Sequence, residues 1–537
     1  MSTYKSWPIT LVGNVVTDSI GTYQMMSLTL ETGNGKNGTI LELTPGTSSK
    51  NYPSAPVYNL SPSQIIFPGL INLHNHLDWD FFPLWYPSLG NIWGYDNRFE
   101  WQANSSYQTN IRNVHGQIEK KLPTVTYPGS PDGYTLLTAL SEIQSVCGGT
   151  TIIQENTSID YSTKKVTNHH ILIRNTGDTD DMQTSPKFID SAVMFYRPTP
   201  PTGGIPGSPG HDTSTWVPPL VQSSLTDWQG YIANNDIQSA LVHLSEGRYG
   251  YLNKGTKDAY TRQEFLAFKN LVTSSYTPAA FKNTRFNMIH ACGIDPTDAS
   301  DISFIQNYGI TVLWSPVSNT MLYGDTLDIK TLVNKGVPIV LTSDWSPSGS
   351  KHVWDESKYA YEFLTSIQGY SDTQAKQMLY GMMTSNAAKC IGKDNVCGKI
   401  VQGGWADLFI LNAKNPVSSY ANALDILFES DDSQTSGVYT GGMLVLADTT
   451  NFTPPGLSLD FQNLPASDGP YAANKAINFN ANGDYPNIQL GKVVLALDTL
   501  LAGCTPPVVR SKFLVSDDKP YQAYISSLHT WLSKQTT

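Results

Sequence analysis

The chain has 537 residues, of which 40% are hydrophobic and 11% aromatic, and its formal net charge is −11 at pH 7. This length and apolar content favour a globular protein with one large and one smaller domain over a disordered chain. The acidic balance excludes the basic face that nucleic-acid-binding proteins carry, so we expect a small-molecule substrate and no nucleic acid as partner.

The sequence also bears on compartment and assembly. No apolar run reaches the about 20 residues that a membrane-spanning helix needs. The first residues enter a strand-like segment directly, so we expect no signal peptide and a cytoplasmic protein. Only 15% of the residues are charged, which keeps a secreted or periplasmic mature chain as the alternative. The sequence leaves the oligomeric state open, and a homo-oligomer is one of the alternatives.

The pattern of apolar runs changes along the chain. Residues 1–64 combine strand-like runs with Gly and Asn turns and are predicted to be β structure. In residues 65–392, short apolar runs alternate with longer helix-compatible stretches, as in repeated βαβ units. The number of these runs, eight, is the number that closes a (β/α)8 barrel. The runs are 71–73, 150–154, 171–174, 191–195, 240–243, 286–290, 310–314 and 338–342.

Strand-like patterning returns in residues 393–450. We expect this segment to pair with residues 1–64 in a small β-sandwich beside the barrel. Residues 451–537 are rich in Pro and Asn before a helix-compatible end, and they are interpreted as an accessory tail. The predicted fold class is therefore α/β, a TIM-type barrel with a β-sandwich built from both ends of the chain.

Polar residues stand at the carboxyl ends of the predicted barrel strands. His74 and His76 follow the first strand, and Asp344 follows the eighth. His243 and His290 end the fifth and sixth strands. Active sites of (β/α)8 barrels lie at these strand ends, and residues i and i+2 of a strand share a face. Four of only ten histidines at such positions are hard to explain as chance.

Imidazole and carboxylate groups are common ligands of zinc and iron. The sequence therefore predicts a site for a divalent metal among His74, His76, His243, His290 and Asp344. Zinc is the first expectation, with iron or manganese as alternatives.

Short motifs at these strand ends stand in a characteristic order. They are Phe67–His76, Val242–Gly247, Ile289–His290, Ser315–Asn319, Thr342–Asp344, Gly398–Gly403 and Ala406–Leu408. In this order the chain resembles the amidohydrolase superfamily, and within it the single-metal branch of cytosine-deaminase-like and chlorohydrolase-like enzymes. Dinuclear relatives place a carboxylated lysine at the end of the fourth strand, whereas Ser191–Arg197 contains no lysine.

The resemblance implies roles for individual residues. His74, His76, His243 and Asp344 would ligate the metal, and the predicted catalytic residues are Glu246, His290 and Asp344. Glu246 would shuttle protons, and His290 would polarise the substrate or orient the water. These roles agree with general chemistry, since such a metal lowers the pKa of its water toward ~7 and Asp344 can take the proton. Glu246 lies three residues beyond His243 and can act as a general acid in the same cavity.

An aromatic-rich segment, residues 79–101, follows the first strand and is predicted to wall the pocket for a flat or apolar ligand. Packing of these aromatics onto the barrel is the alternative. Arg98 is a candidate anchor for an anionic group. The predicted substrate-lining residues are Trp93, Arg98, Trp314, Asn319, Tyr323 and His352.

The leading hypothesis is a hydrolase of a carbon–nitrogen bond other than a peptide bond. Deamination of an amino-heterocycle and hydrolysis of an amide or cyclic amide are both open. A dehalogenating hydrolase on the same site and a non-catalytic scaffold or binding protein are the alternatives. A glycosidase would need paired carboxylates where this chain has histidines.

Overall fold

The strands of the protein, numbered in chain order, form four sheets in the computed structural model. This model describes residues 8–33, 35–122, 133–154, 159–160, 165–166, 170–184, 187–192, 230–252, 257–275, 277–281, 284–452, 461–479 and 488–536. The strands are β1 Pro8–Val16, β2 Tyr23–Glu31, β3 Ile40–Pro45, β4 Val57–Asn59, β5 Gln64–Pro68, β6 Leu70–Asn72, β7 Thr150–Ile153, β8 Ile159–Asp160, β9 Lys165–Val166, β10 Arg174–Asn175, β11 Phe188–Ala192, β12 Ile237–Leu244, β13 Arg285–His290, β14 Thr311–Trp314, β15 Ile339–Leu341, β16 Leu408–Asn412, β17 Thr435–Thr440, β18 Met443–Asp448, β19 Gln462–Asn463 and β20 Lys475–Ile477.

Helices separate most of the strands in the middle of the chain. They are α1 Arg98–Ala103, α2 Ser105–Tyr107, α3 Asn113–Lys121, α4 Gly133–Cys147, α5 Ala259–Ser275, α6 Ala299–Asn307, α7 Pro316–Tyr323, α8 Ile329–Asn334, α9 Val353–Glu362, α10 Asp372–Met383, α11 Ser385–Cys390, α12 Ala423–Glu429, α13 Leu490–Ala502 and α14 Lys519–Ser533. Local sequence fixes several of their starts, as in α10, where Ser371 and Gln374 form a capping box. Within the described ranges, no helix has both the length and the apolar character that crossing a bilayer requires.

Eight parallel strands support the candidate site. Strands β6, β7 and β10 form one sheet in the order β10-β7-β6, and β11 to β15 form another in chain order. An isolated parallel bridge between Asn75 and Asp344 links the ends of β6 and β15. Among the described residues no pairing connects β10 with β11, and residues 193–195 of the predicted fourth strand lie outside that set. The α/β class is therefore confirmed, while a closed barrel stays a prediction.

The strands bury both of their faces, which is typical of parallel sheets. On one face, seven of the eight strands contribute an apolar side chain to a shared cluster. These side chains are Ile71, Ile152, Ile189, Leu241, Ile289, Leu313 and Val340. Their neighbours in sequence, such as Val242 and Met288, belong to a second cluster that includes Phe265 and Phe268 of α5. The alternation follows from the two-residue period of a strand.

The remaining large sheet joins the two ends of the chain. Its order is β19-β20-β18-β17-β16-β5-β1-β2-β3, with β4 beside β1. Antiparallel pairing of β5 with β16 connects the N-terminal strands to the later ones, as expected. The structure shows a single sheet of ten strands here, so the expected β-sandwich is only partly seen. Residues after 450, which the sequence predicts to be a tail, add β19 and β20 to this sheet.

The C-terminal segment packs near the loop that follows β6. The Tyr524 hydroxyl, in α14, donates a hydrogen bond of 3.0 Å to the carbonyl oxygen of Asn91. Lys351, which is buried, bonds to Asp518 at 2.7 Å just before the same helix. The first contact ties the C-terminal helix to the loop after β6, and the second ties the start of that helix to the segment that follows β15.

A buried ion pair joins the parallel strands to the large sheet. Nε of Arg174, in β10, donates to Oδ2 of Asp407 at 2.9 Å, and both side chains are almost fully buried. The guanidinium also lies 4.1 Å from the ring centre of Trp405. Because removing one partner leaves a buried charge without its counter-charge, this pair is sensitive to substitution.

We expect Arg174→Ala to lower the free energy of unfolding by about 3–5 kcal/mol, because Asp407 loses its buried counter-charge. Urea denaturation followed by circular dichroism measures this change. Asp498→Asn, which removes a half-exposed partner of Arg510, serves as the control and should cost only about 0–1 kcal/mol. Equal losses in both variants would contradict a structural role for the Arg174 pair.

Candidate metal centre

The predicted ligands and His290 lie at the carboxyl ends of four parallel strands. His74 and His76 follow β6, and Asp344 follows β15. His243 is the penultimate residue of β12, and His290 is the last residue of β13. Because parallel neighbours end at the same edge, strands far apart in sequence deliver their side chains to one place.

These side chains are close enough to share an ion. Nε2 of His74 lies 2.9 Å from Oδ1 of Asp344, and Nε2 of His76 lies 3.9 Å from the same oxygen. The ring centres of His74 and His243 are 4.4 Å apart. Among the described residues, two groups have potential ligand atoms within 4.8 Å of one another, and both contain His74. One is His74 with His243 and His290, and the other is His74 with His76 and Asp344.

Several backbone conformations at these strand ends are left-handed. Ser245, His290, Ala291 and Asp344 have φ angles of 56°, 66°, 51° and 62°. Such residues other than glycine are uncommon, and each costs of order 1–3 kcal/mol unless its surroundings fix it. Here the backbone N–H of Ala291 bonds to the carbonyl of Leu244 at 2.9 Å. Strained positions of this kind cluster at functional sites.

Burial sets the protonation state of the cluster. It lowers the pKa of His74 to about 4, although the charge of Asp344 and a hydrogen bond to it act in the opposite direction. Burial also lowers the pKa of His243 far below its ordinary value. Burial alone would raise the pKa of Asp344, but the adjacent His74 holds it below the ordinary range. Neutral imidazoles and an ionised carboxylate are the forms that bind a divalent cation, so the donor set fits one.

Glu246 lies in the loop after β12 and is buried beside the histidines. Its Oε1 accepts a hydrogen bond of 2.5 Å from the hydroxyl of Tyr323, and its Oε2 lies 3.8 Å from Nε2 of His290. The Tyr323 oxygen in turn accepts from Nε1 of Trp101 at 2.8 Å. This chain of contacts fixes the orientation of the Glu246 carboxylate.

His290 is oriented from behind by α7. Its Nδ1 lies 3.3 Å from Oδ1 of Asn319, while Nδ2 of Asn319 lies 3.6 Å from Sγ of Cys292. With the amide nitrogen directed at the thiol, the amide oxygen is left to accept from Nδ1–H of His290, and Nε2 of the ring lies toward Glu246.

A cavity of about 220 Å³ opens beside the cluster. It is lined by His76, Asp78, Trp79, Arg98, Trp101, Gln102, Tyr107, His243, Glu246, His290, Asp344 and Trp345. The lining thus contains three of the predicted metal ligands and all three predicted catalytic residues. His74 lies beneath it, fully buried.

Of the predicted substrate-lining residues, Arg98 lines this cavity and the others do not. Trp93 stacks on Trp85 with ring centres 4.2 Å apart, away from the cavity. Trp314 is a core residue whose indole N–H bonds to Thr326 at 2.7 Å. His352 accepts a hydrogen bond from the backbone N–H of Asp355 and so caps α9.

Asn319 and Tyr323 lie behind His290 and Glu246 and support them. Arg98 does not offer the expected anion anchor, because its Nη2 donates to Oε1 of Glu264 at 2.6 Å and both groups are buried. The carboxylate of Glu264 already balances the guanidinium charge.

Several lining residues were missed by sequence reasoning. Trp79 and Trp101 lie at the two ends of the aromatic segment 79–101, from which Trp93 was predicted as a lining residue. Trp345 directly follows Asp344. Asp78, Gln102 and Tyr107 carried no signal in the sequence. Which aromatics of a long loop face the cavity depends on the path of that loop, which a single sequence does not reveal.

The low pKa of His74 predicts how the metal-free protein responds to pH. The unfolded chain takes up a proton on His74 near pH ~6.5, whereas the folded chain does so only near pH 4. Stability is therefore complete above pH ~6.5 and falls as the pH drops through this window. His243 acts in the same direction.

We expect metal-stripped wild type to lose about 3 kcal/mol more than His74→Asn between pH 7 and pH 4, at about 1.36 kcal/mol per pKa unit. Urea denaturation at several pH values measures the difference. Thr530→Ala, at an exposed position without a titratable side chain, is the control and should follow the wild-type curve. Parallel curves for wild type and His74→Asn would contradict burial of a neutral His74.

Comparisons with known proteins agree with this geometry. Residues 263–445, which include His290 and Asp344, match the model of the amidohydrolase family. A segment of 121 residues is 31% identical to the 5-methylthioadenosine/S-adenosylhomocysteine deaminase of Thermococcus onnurineus, covering 22% of this chain and 28% of that protein. Another of 138 residues is 27% identical to the imidazolonepropionase of Geobacillus thermodenitrificans, covering 26% of this chain and 30% of that protein. The alignments thus span less than a third of the length of either relative.

A crystal structure of a triazine hydrolase variant is similar in fold. It superposes with a TM-score of 0.52 at 12% identity and covers 92% of this chain and 99% of that one. Residues 263–445 are therefore similar to the amidohydrolase family, and segments of the chain are similar to proteins named a deaminase and an imidazolonepropionase.

Proposed function

We propose that the protein is a single-metal hydrolase that cleaves a carbon–nitrogen bond other than a peptide bond. The observation that carries this proposal is the convergence of His74, His76, His243 and Asp344 beside a cavity that also contains Glu246. The relative that is named a deaminase supports cleavage at nitrogen over cleavage at halogen.

Closure of the parallel strands into a (β/α)8 barrel is part of the same proposal. The bridge between Asn75 and Asp344 supports it, because it brings the first and eighth strands together. The shared apolar cluster that contains Ile71 and Val340 also supports it, since such a cluster fills the interior of a barrel. We propose domain boundaries at residues 64, 392 and 450, with residues 461–479 of the last segment contributing β19 and β20 to the large sheet.

The residues present fit one divalent metal. We propose His74, His76, His243 and Asp344 as its ligands, with zinc as the first choice because imidazoles dominate the set. Iron or manganese would suit the same donors. When bound, such an ion supplies a nucleophilic water at neutral pH by lowering the pKa of that water toward ~7.

Asp344 and Glu246 carry out the proton transfers in the proposed reaction. Asp344 accepts the proton of the attacking water, since its low pKa keeps it ionised until then. The water oxygen bonds to the trigonal carbon of the substrate, and the carbon–nitrogen bond then breaks. Glu246, held by Tyr323, takes up the second proton of the added water as the new carbon–oxygen double bond forms and delivers it to the departing nitrogen, and Asp344 returns its own proton to a nitrogen of the product. Nε2 of His290 holds the substrate oxygen or nitrogen on the reacting carbon.

The substrate class within this chemistry is open to direct assay. Ammonia release from a panel of amino-heterocycles and ring opening of cyclic amides would separate deamination from amide hydrolysis. Chloride release from chlorinated heterocycles should be measured alongside. Release of chloride alone would overturn carbon–nitrogen cleavage.

Asp344→Ala should abolish turnover of whichever panel compound is accepted and should weaken zinc retention, because Asp344 is both ligand and proton acceptor. Steady-state kinetics and zinc content by mass spectrometry measure the two effects. Asp394→Ala, at an exposed position, is the control. Full activity of Asp344→Ala would refute its assignment.

Glu246→Gln should retain the metal but lower kcat by ~10²–10⁴-fold, the usual effect of losing an acid–base group. Tyr323→Phe should lower kcat by roughly tenfold or more, because Glu246 loses a hydrogen bond to a charged group. Tyr361→Phe removes a similar hydrogen bond to Asp372 near the surface and should leave kcat unchanged. Metal loss in Glu246→Gln would make Glu246 a ligand instead.

A further inference from the structure

Part of the cavity that holds the candidate metal centre is walled by aromatic rings. Trp79, Trp101, Tyr107 and Trp345 all line it, and we call them the aromatic wall. The rings of Trp79 and Trp345 are 5.4 Å apart at 71°, and those of Trp101 and Tyr107 are 4.9 Å apart at 88°. Rings that meet edge to face build a concave corner rather than a parallel-sided slot for a flat ring.

Two of the indole N–H groups of this wall are already used by the protein. Nε1 of Trp101 donates to Tyr323 at 2.8 Å, and Nε1 of Trp345 donates to Oγ of Ser348 at 2.5 Å. These bonds fix the orientation of both indoles. Trp101 and Trp345 therefore present π surface to a ligand rather than hydrogen-bond donors.

The charges beside the wall are mainly negative. Asp78, Glu246 and Asp344 contribute carboxylates to the lining, whereas the guanidinium of Arg98 is balanced by Glu264. In the proposed function, Asp344 is a metal ligand and Glu246 transfers a proton to the departing nitrogen. The Asp78 side chain is 40% exposed, so its carboxylate is accessible to a ligand as well as to His115.

His115 fixes the position of both Asp78 and Trp79. Its ring stacks on Trp79 with centres 3.6 Å apart and planes at 4°, and its Nε2 lies 3.3 Å from Oδ2 of Asp78. One face of Trp79 is thus covered by His115. The carboxylate and the indole are held together at the same side of the cavity.

Aromatic faces combined with a carboxylate recognise organic cations, because the ring quadrupole and the anion both attract positive charge. We propose that the aromatic wall and Asp78 form a binding site for an organic ammonium group of the substrate. The inference deepens the proposed function and rests on it for the view that the ligand is a substrate. A volume of about 220 Å³ limits that substrate to a small molecule.

The test compares choline with its uncharged isostere 3,3-dimethylbutan-1-ol on the zinc-loaded full chain. Both probes carry the same hydroxyl, so coordination through oxygen contributes equally. Isothermal titration calorimetry should show choline binding at least about tenfold more tightly, as expected for a partly desolvated cation on aromatic faces. Equal affinities, or tighter binding of the alcohol, would overturn the proposal.

Single substitutions test whether choline binds at the aromatic wall and Asp78. Trp79→Leu and Asp78→Asn should each weaken choline binding at least fivefold, with zinc content unchanged. Trp93→Leu is the matched control, because Trp93 lies in the same loop but stacks on Trp85 outside the cavity. Unchanged choline affinity in a folded Trp79→Leu protein would contradict the proposal. If Trp79→Leu fails to fold, the comparison of the two probes on wild type still decides.

Failure of this inference and failure of the proposed function are distinguishable. Choline selectivity without any hydrolysis of the panel would support the cation site and contradict the enzyme. Hydrolysis of uncharged compounds without choline selectivity would support the enzyme and contradict the cation site.

Discussion

Several imidazoles and one carboxylate occupy a small buried volume at the ends of parallel strands, and this packing constrains the rest of the site. His74 is fully buried and shares contacts with Asp344 and the ring of His243. Burial lowers the pKa of His74 and of His243, so both imidazoles are neutral at pH 7. Neutral imidazoles beside an ionised carboxylate are the forms that a divalent ion binds.

The surrounding structure holds this arrangement in place. Left-handed backbone at His290 and Asp344 costs free energy that the adjacent strands offset through packing and hydrogen bonds. Tyr323 and Asn319, both from α7, orient Glu246 and His290 from behind. The C-terminal helix reaches the loop after β6 through Tyr524. Segments from much of the described chain therefore converge on one small cavity.

The sequence predicted the centre of this site better than its periphery. Histidines at strand ends are recognisable because apolar runs mark the strands and parallel strands end at one edge. The two-residue period of a strand links His74 to His76, but nothing local links Arg98 to Glu264, which lies 166 residues away. The predicted lining residue in the aromatic segment was Trp93, whereas Trp101 lines the cavity. The path of a long loop is set by tertiary contacts, which the sequence does not show. The same limit applies to the ten-stranded sheet, whose strands β19 and β20 show no clear pattern in the sequence.

The most direct test of the central claim is X-ray absorption spectroscopy at the zinc edge on the purified, zinc-loaded protein. The geometry predicts one tightly held zinc per chain with nitrogen and oxygen ligands near ~2.0–2.1 Å and a scattering signature of three imidazoles. Substitution of His243 by alanine should remove one imidazole from that signature. A protein that retains no zinc, or a spectrum with no imidazole contribution, would contradict the convergence of these side chains on a metal.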